Sequence, residues 1–124
     1  MKYIALALLA FALVVPGIAS AQGPGSYARR AGPYAGPLIL YANYYAKDTC
    51  QTALSGKRIA PPGQSVSPSM VPVTIVIGPN PKGCGNSRVV KYTMSVGGPS
   101  DFPLIRIFFV DPSGRILKIE NISG

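Results

Sequence analysis

Histidine and tryptophan are absent from this chain of 124 residues, and only four aspartate or glutamate residues are present. The absence of histidine removes the commonest general base, together with the Ser-His and Cys-His pairs that activate a nucleophile. Zinc sites usually require histidine or cysteine in threes and fours, and this chain has two cysteines. We therefore expect no catalytic residues, no metal site and no cofactor.

The few carboxylates leave little material for other acid–base chemistry. The local pattern assigns Asp111 to a turn and Glu120 to a cross-strand pair with Arg106. A hydrolase with paired carboxylates would need the side chains of the other two acidic residues, Asp48 and Asp101, to lie close together. The sequence therefore predicts a protein that is not an enzyme.

The first 21 residues have the three-part layout of a secretory signal peptide. A positive start with Lys2 precedes an apolar run over residues 3–15, which is shorter than the roughly 20 residues of a membrane-spanning helix. An Ala-Ser-Ala sequence ending at Ala21 matches the pattern that signal peptidase accepts. We expect cleavage after Ala21, a mature form without a membrane span, and a periplasmic or extracellular location.

Positive charge dominates the mature chain. Lys2 falls in the signal peptide, so eleven of the 12 lysine and arginine residues remain against four acids, a net charge of about +7. This balance favours an anionic partner such as nucleic acid, an acidic glycan, lipid head groups or an acidic protein. Solubility alone is the other explanation, because net charge affects association and not the fold.

The two cysteines, Cys50 and Cys84, predict a disulfide. In a small exported domain, an even number of cysteines without a C-x-x-C motif is typical of a structural bond. This bond would close a loop of about 35 residues and stabilise the fold by about 3–4 kcal/mol.

Glycine and proline divide the mature chain into a tail and one domain. Residues 22–37 hold three Gly-Pro steps, and we expect a flexible tail there without regular structure. Residues 38–124 are expected to form a single small β-rich domain. The first run of that domain, Leu38–Tyr45, is apolar and aromatic and favours a strand, although roughly helical spacing leaves a helix as an alternative.

Four further β-rich runs, separated by turn-forming residues, occupy residues 71–77, 88–96, 104–110 and 115–122. Such a series is typical of an antiparallel meander. We therefore predict a mainly β fold, a small antiparallel β-sandwich or open barrel or meander with one disulfide. The alternative is an α+β domain in which residues 46–54 form one short helix on the sheet.

The turn at residues 111–114 predicts the register of the last hairpin. Asp followed by Pro suits a type I turn, and Gly114 can take the left-handed position of a G1 bulge. A register shifted by one would place Lys118 and Glu120 on the buried face. The favoured register pairs Val110 with Ile116, Phe108 with Lys118 and Arg106 with Glu120. The buried face then consists of Ile105, Ile107, Phe109, Leu117 and Ile119.

The opposite, polar face of the sheet is the candidate binding face. Basic side chains around an aromatic residue can bind an anionic polymer or stack on a base or a sugar. The candidate residues are Lys91, Arg106, Phe108 and Lys118. A solvated face without a ligand is the competing interpretation.

The function expected from these features is that of an exported, non-catalytic binding domain. It would engage an anionic envelope or extracellular polymer through its basic residues. The alternative is a protein-interaction module, either an inhibitor of a secreted enzyme or a self-associating subunit of a surface assembly.

Overall fold

A computed structural model of the protein describes residues 25–32, 36–97 and 104–123. Within these ranges the chain forms strands and no helix, so no helix there could cross a membrane. The expected signal peptide and Asp101 lie outside the described residues. The strands are β1 (Tyr27–Arg30), β2 (Leu38–Tyr45), β3 (Gln51–Lys57), β4 (Met70–Pro79), β5 (Val89–Gly97), β6 (Leu104–Val110) and β7 (Ile116–Ser123).

The strands form two sheets, which confirms the predicted mainly β fold with a sandwich arrangement. One sheet has the order β1-β2-β5 and the other has the order β3-β4-β6-β7. The alternative of a helix over residues 46–54 is wrong, because β3 begins at Gln51 and pairs with β4.

One strand pair departs from the predicted antiparallel arrangement. After β4, the chain forms β5 in the three-stranded sheet and then returns to the four-stranded sheet as β6. Strands β4 and β6 are therefore parallel neighbours. Parallel neighbours need such a crossover connection. Apolar alternation shows which side of a strand is buried but not which sheet the strand joins, so the sequence pattern did not reveal this pair.

The hydrophobic core lies between the two sheets. Alternating side chains of β4 and β5 point into it. The largest contributions from the four-stranded sheet come from β4 and β6, which lie at its centre. The largest fully buried side chains of this core are Leu38, Leu40, Val73, Ile75, Ile77, Val96, Ile105, Ile107 and Phe109.

The β6–β7 hairpin confirms the predicted turn but not the whole register. Gly114 has a φ of 95°, and Val110 pairs with Ile116 as expected. Leu117 is then an extra residue in β7, because Phe109 pairs with Lys118. This bulge shifts every later pair by one position. The predicted pairs of Phe108 with Lys118 and of Arg106 with Glu120 are therefore wrong.

The shifted register turns Lys118 and Glu120 toward the inner side of the sheet, which the sequence reasoning excluded. It is tolerated because β7 is an edge strand. Lys118 remains exposed to solvent. Glu120 accepts hydrogen bonds from the backbone N–H of Ser26 at 2.9 Å and from its hydroxyl at 2.8 Å, which tie the two sheets together.

The N-terminal segment is more ordered than predicted. Residues Tyr27–Arg30 form β1 and pair with Leu38–Tyr41 of β2, so the expectation of a tail without regular structure over residues 22–37 is wrong for this part. Ala28 packs against the core and Tyr27 stacks on Tyr41, and these contacts hold the strand despite the neighbouring glycines and prolines.

The predicted disulfide between Cys50 and Cys84 is confirmed. It joins the start of β3 to the loop between β4 and β5. The backbone N–H of Gly85 donates to the Thr49 carbonyl at 2.8 Å, and the carboxylate of Asp48 accepts a 2.8 Å bond from the Cys50 N–H. Asp48 therefore has a structural role in this turn.

Candidate functional site

The four residues of the predicted binding face do not share one surface. Lys91 lies on β5 in the three-stranded sheet. Arg106, Phe108 and Lys118 lie on β6 and β7 in the other sheet. The prediction grouped them because it placed all the later strands in one sheet.

Phe108 is not available to a ligand, because its side chain is only 1% exposed. It points away from the core between the sheets, as the sequence predicts, and we attribute its burial to the proline-rich loop that lies on that side of the sheet. Thr74, which pairs with Phe108, donates a 2.6 Å hydrogen bond to the carbonyl of Ile59 in this loop, and Pro61 is buried. The prediction of an exposed aromatic residue at this position is wrong.

The other two predicted residues have separate surroundings. The Nε of Arg106 donates to the Asn121 side-chain oxygen at 2.8 Å on the outer side of the four-stranded sheet. Lys118 lies at the rim between the sheets, in a shallow hollow beside Tyr44, Tyr45 and Leu117. Neither forms a binding surface with Phe108.

A different surface combines positive charge and aromatic rings: the outer face of the three-stranded sheet. In β2, outward Tyr41 and Tyr45 alternate with core-facing Leu40 and Ala42. The same alternation exposes every second residue of the neighbouring strands. The outward residues that carry charge or aromatic rings are Tyr27 and Arg29 on β1, Tyr41 and Tyr45 on β2, and Lys91 on β5. Arg88, just before β5, joins them through its contact with the Tyr45 ring.

One end of this face holds an arginine against two stacked rings. Tyr27 and Tyr41 are cross-strand neighbours whose ring centroids lie 5.0 Å apart at an interplanar angle of 18°. The guanidinium carbon of Arg29 is 5.9 Å from the Tyr27 centroid and 5.4 Å from the Tyr41 centroid. These distances are within the range of a cation–π interaction.

The other end repeats the combination. The guanidinium carbon of Arg88 lies 4.5 Å from the ring centroid of Tyr45. The Nε of Arg88 donates to the Ala46 carbonyl at 2.8 Å, and the Ala46 N–H donates to the Arg88 carbonyl at 2.7 Å. The position of this cation is therefore fixed by both the ring and the backbone.

A hollow of about 360 Å³ lies between the two ends. Tyr41 lies on one side of it, and Lys91 and Thr93 on β5 lie on the other. Asn43 contributes to its lining and is itself anchored, because its amide nitrogen donates to the Gly25 carbonyl at 2.9 Å. The complete lining is Tyr27, Tyr41, Ala42, Asn43, Lys91, Tyr92 and Thr93.

No side-chain carboxylate of the described part of the chain lies on this face. Asp48 and Glu120 are engaged in the disulfide turn and between the sheets, as described above. Asp111 lies in the β6–β7 turn, where hydrogen bonds from the Ser113 hydroxyl and from the Arg115 backbone N–H lower the pKa of its carboxyl. Among the described residues, the cations of the face consequently have no acidic neighbour to neutralise them.

The sequence analysis missed five of these residues: Tyr27, Arg29, Tyr41, Tyr45 and Arg88. A partial signal was present, because Tyr41 and Asn43 alternate with Leu40 and Ala42, and Tyr45 continues the same phase. That pattern predicts a strand with one outward face rich in tyrosine. The partner strand β1 could not be inferred from its glycine- and proline-rich surroundings.

No group of three or more metal-ligating side chains occurs in the described ranges. The chain matches no protein-family model, no curated protein and no solved structure. Function must therefore be inferred from the face itself.

Proposed function

We propose that this protein is an exported, non-catalytic binding domain that engages an anionic polymer through the outer face of the three-stranded sheet. The observation that carries the proposal is the charge of that face. Arg29, Arg88 and Lys91 lie on it together with three tyrosines and without a described carboxylate. The disulfide is compatible with an oxidising, exported location.

The spacing of the cations favours a polymer over a small anion. Tyr41 and Tyr45, whose rings contact the two arginines, are four residues apart on one strand. This separation corresponds to about 13 Å at roughly 3.3 Å per residue. A single phosphate or carboxylate cannot reach both ends, whereas a chain of anionic groups can contact both ends and Lys91 between them.

The surroundings of the arginines also support binding. A flexible arginine loses side-chain entropy when it binds, and holding the side chain in place beforehand reduces that loss. Arg29 rests against two rings, and Arg88 rests against a ring and is hydrogen-bonded to the backbone. The face therefore presents cations whose positions are restricted before a ligand arrives.

The test compares two triple variants that remove the same number and kind of charges. The first is Arg29→Gln, Arg88→Gln and Lys91→Gln. The control, Lys57→Gln, Arg58→Gln and Arg106→Gln, removes cations on or near the four-stranded sheet, and each variant loses one arginine Nε hydrogen bond. Binding to an acidic glycan, anionic vesicles and DNA would be measured by calorimetry at low and physiological salt.

We expect the unmodified protein and the control to bind at least one of these polyanions with affinity that falls steeply with salt. The first variant should bind at least about tenfold more weakly, since three exposed ion contacts of up to about 1 kcal/mol each are lost. Equal weakening in both variants would assign binding to net charge alone, and no binding by any of the three proteins would reject the proposal.

A further inference from the structure

We propose that the hollow between Tyr41 and Lys91 is a subsite for one sugar ring of an acidic glycan. This inference rests on the proposed function and specifies its ligand class. The ring would place its carbon-bound hydrogens against Tyr41 and direct a carboxylate or sulfate toward Lys91. The chain on either side would continue toward Arg29 and Arg88.

The aromatic side of the hollow is set by the strand register. Tyr41 lies between Tyr27 on β1 and Thr93 on β5, and it pairs with both. One side of its ring stacks on Tyr27. Both stacked rings line the hollow, where the apolar face of a sugar ring can pack against them.

The polar side of the hollow supplies the groups that an acidic sugar requires. Lys91 provides an ammonium group with three donors, and the Thr93 hydroxyl can both donate and accept. A volume of about 360 Å³ is near the lower end of small-molecule sites. The hollow therefore has room for one ring rather than a long segment of the polymer.

The same geometry disfavours single-stranded nucleic acid as the ligand. Binding of nucleic acid strands relies on several open aromatic faces on which successive bases stack. Here Arg88 covers Tyr45, and Tyr27 and Tyr41 stack on each other. Each of the three rings therefore has one side occupied, whereas the cations extend along the whole face.

The test fills the hollow without changing any charge. Thr93→Leu adds apolar bulk at an exposed strand position that lines the hollow. Ser95→Leu is the matched control, because Ser95 is exposed on the same side of β5 but does not line the hollow. Thermal melting of both variants would establish that each is folded before binding is compared.

The probes are an oligogalacturonate octasaccharide, an inorganic polyphosphate of similar charge and an oligothymidylate. We expect Thr93→Leu to weaken oligogalacturonate binding by about tenfold or more, as the loss of one stacked ring implies. Polyphosphate has no ring, so its affinity should stay within about twofold, because its contacts are purely ionic. Ser95→Leu should leave the affinity for both ligands unchanged.

Three results would overturn the subsite while leaving the proposed function in place. In the first, Thr93→Leu binds oligogalacturonate as tightly as the unmodified protein does. In the second, Thr93→Leu weakens the binding of oligogalacturonate and of polyphosphate equally. In the third, the unmodified protein binds oligothymidylate more tightly than oligogalacturonate, and Thr93→Leu abolishes that binding. The last result would identify a nucleic acid ligand. Failure of all three probes to bind the unmodified protein would instead reject the proposed function together with the subsite.

Discussion

Replacing Phe108 with alanine should destabilise the fold strongly, although this side chain points away from the core between the sheets. The ring is 1% exposed and lies beneath the loop that Thr74 anchors through Ile59. An exposed ligand-binding residue, as the sequence suggested, would tolerate the substitution and lose only binding. The two interpretations therefore predict opposite results in one stability measurement.

The size of the effect follows from the buried area. An aromatic side chain buries about 150–250 Å², and at about 25 cal/mol per Å² this burial is worth roughly 4–6 kcal/mol. Alanine keeps part of that area, and the covering loop can partly collapse into the space. We therefore expect Phe108→Ala to lower the free energy of unfolding by about 3–4 kcal/mol. For a domain of about 100 residues, this corresponds to a fall in Tm of more than about 12 °C.

The assay is urea and thermal unfolding of the oxidised mature protein, followed by circular dichroism. The control is Ile119→Ala, because Ile119 pairs with Phe108 on β7 but is 44% exposed. It should cost about 1 kcal/mol or less. A loss below about 1 kcal/mol for Phe108→Ala, or equal losses for the two variants, would refute the burial of Phe108 beneath the loop.

Three further stability predictions follow from other parts of the fold. Replacing both disulfide cysteines with alanine should lower the free energy of unfolding by about 3–4 kcal/mol in urea titrations, since the bond closes a loop of about 35 residues; an effect under about 1 kcal/mol would contradict this role. Gly56→Ala should cost about 1–3 kcal/mol in the same assay, because the added Cβ would overlap the ring of Tyr92, which packs against the core; an unchanged midpoint would show that β3 and β5 are not in contact there. The folded-state pKa of Asp111 is lowered, and the hydrogen bond from the Ser113 hydroxyl is the largest cause. The contribution of the Asp111 carboxylate to stability is therefore complete above the ordinary carboxyl pKa near 4 and is lost as pH falls through the lowered pKa. In Asp111→Asn, the free energy of unfolding should therefore fall less steeply below about pH 4 than in the unmodified protein. An equally steep fall in both proteins would contradict the assignment.

The strands with strong apolar patterns could be predicted from sequence. The bounds of β2 and β6 agree with the predicted runs, because each is an apolar or aromatic segment with a single polar residue, Asn43 or Arg106, and is followed by turn-forming or polar residues. Strand β3 could not be predicted. Its sequence, Gln51–Lys57, has one β-branched residue and a glycine, and it is extended because it pairs with β4 beside the disulfide.

The register of the last hairpin shows how far turn chemistry determines pairing. Gly114 and the residues around it establish the first pair, Val110 with Ile116. The bulge at Leu117 depends on long-range contacts, including the hydrogen bonds between Ser26 and Glu120 across the sheets. Contacts between residues 94 positions apart leave no periodic signal in the local sequence.

The residues of the proposed binding face were only partly predicted from the sequence. Net positive charge indicated an anionic partner, and Lys91 lies on the face that the structure favours. Arg106 lies on the other sheet, and Lys118 only borders the Tyr45 end of the face from β7, because β5 joins a different sheet from β6 and β7. Strand-to-sheet assignment depends on the order in which strands pack, which one predicted hairpin and one predicted disulfide do not determine.

The most direct test of the proposed binding face is a map of backbone amide chemical shifts during titration with an acidic oligosaccharide. The proposal predicts that the shifts change on the outer face of the three-stranded sheet, around Tyr27–Arg30, Tyr41–Tyr45 and Arg88–Thr93. Amides of β4 and β6 should stay unchanged at saturation. Changes confined to the four-stranded sheet, or uniform small changes that vanish at physiological salt, would contradict the assignment of this face as the binding site.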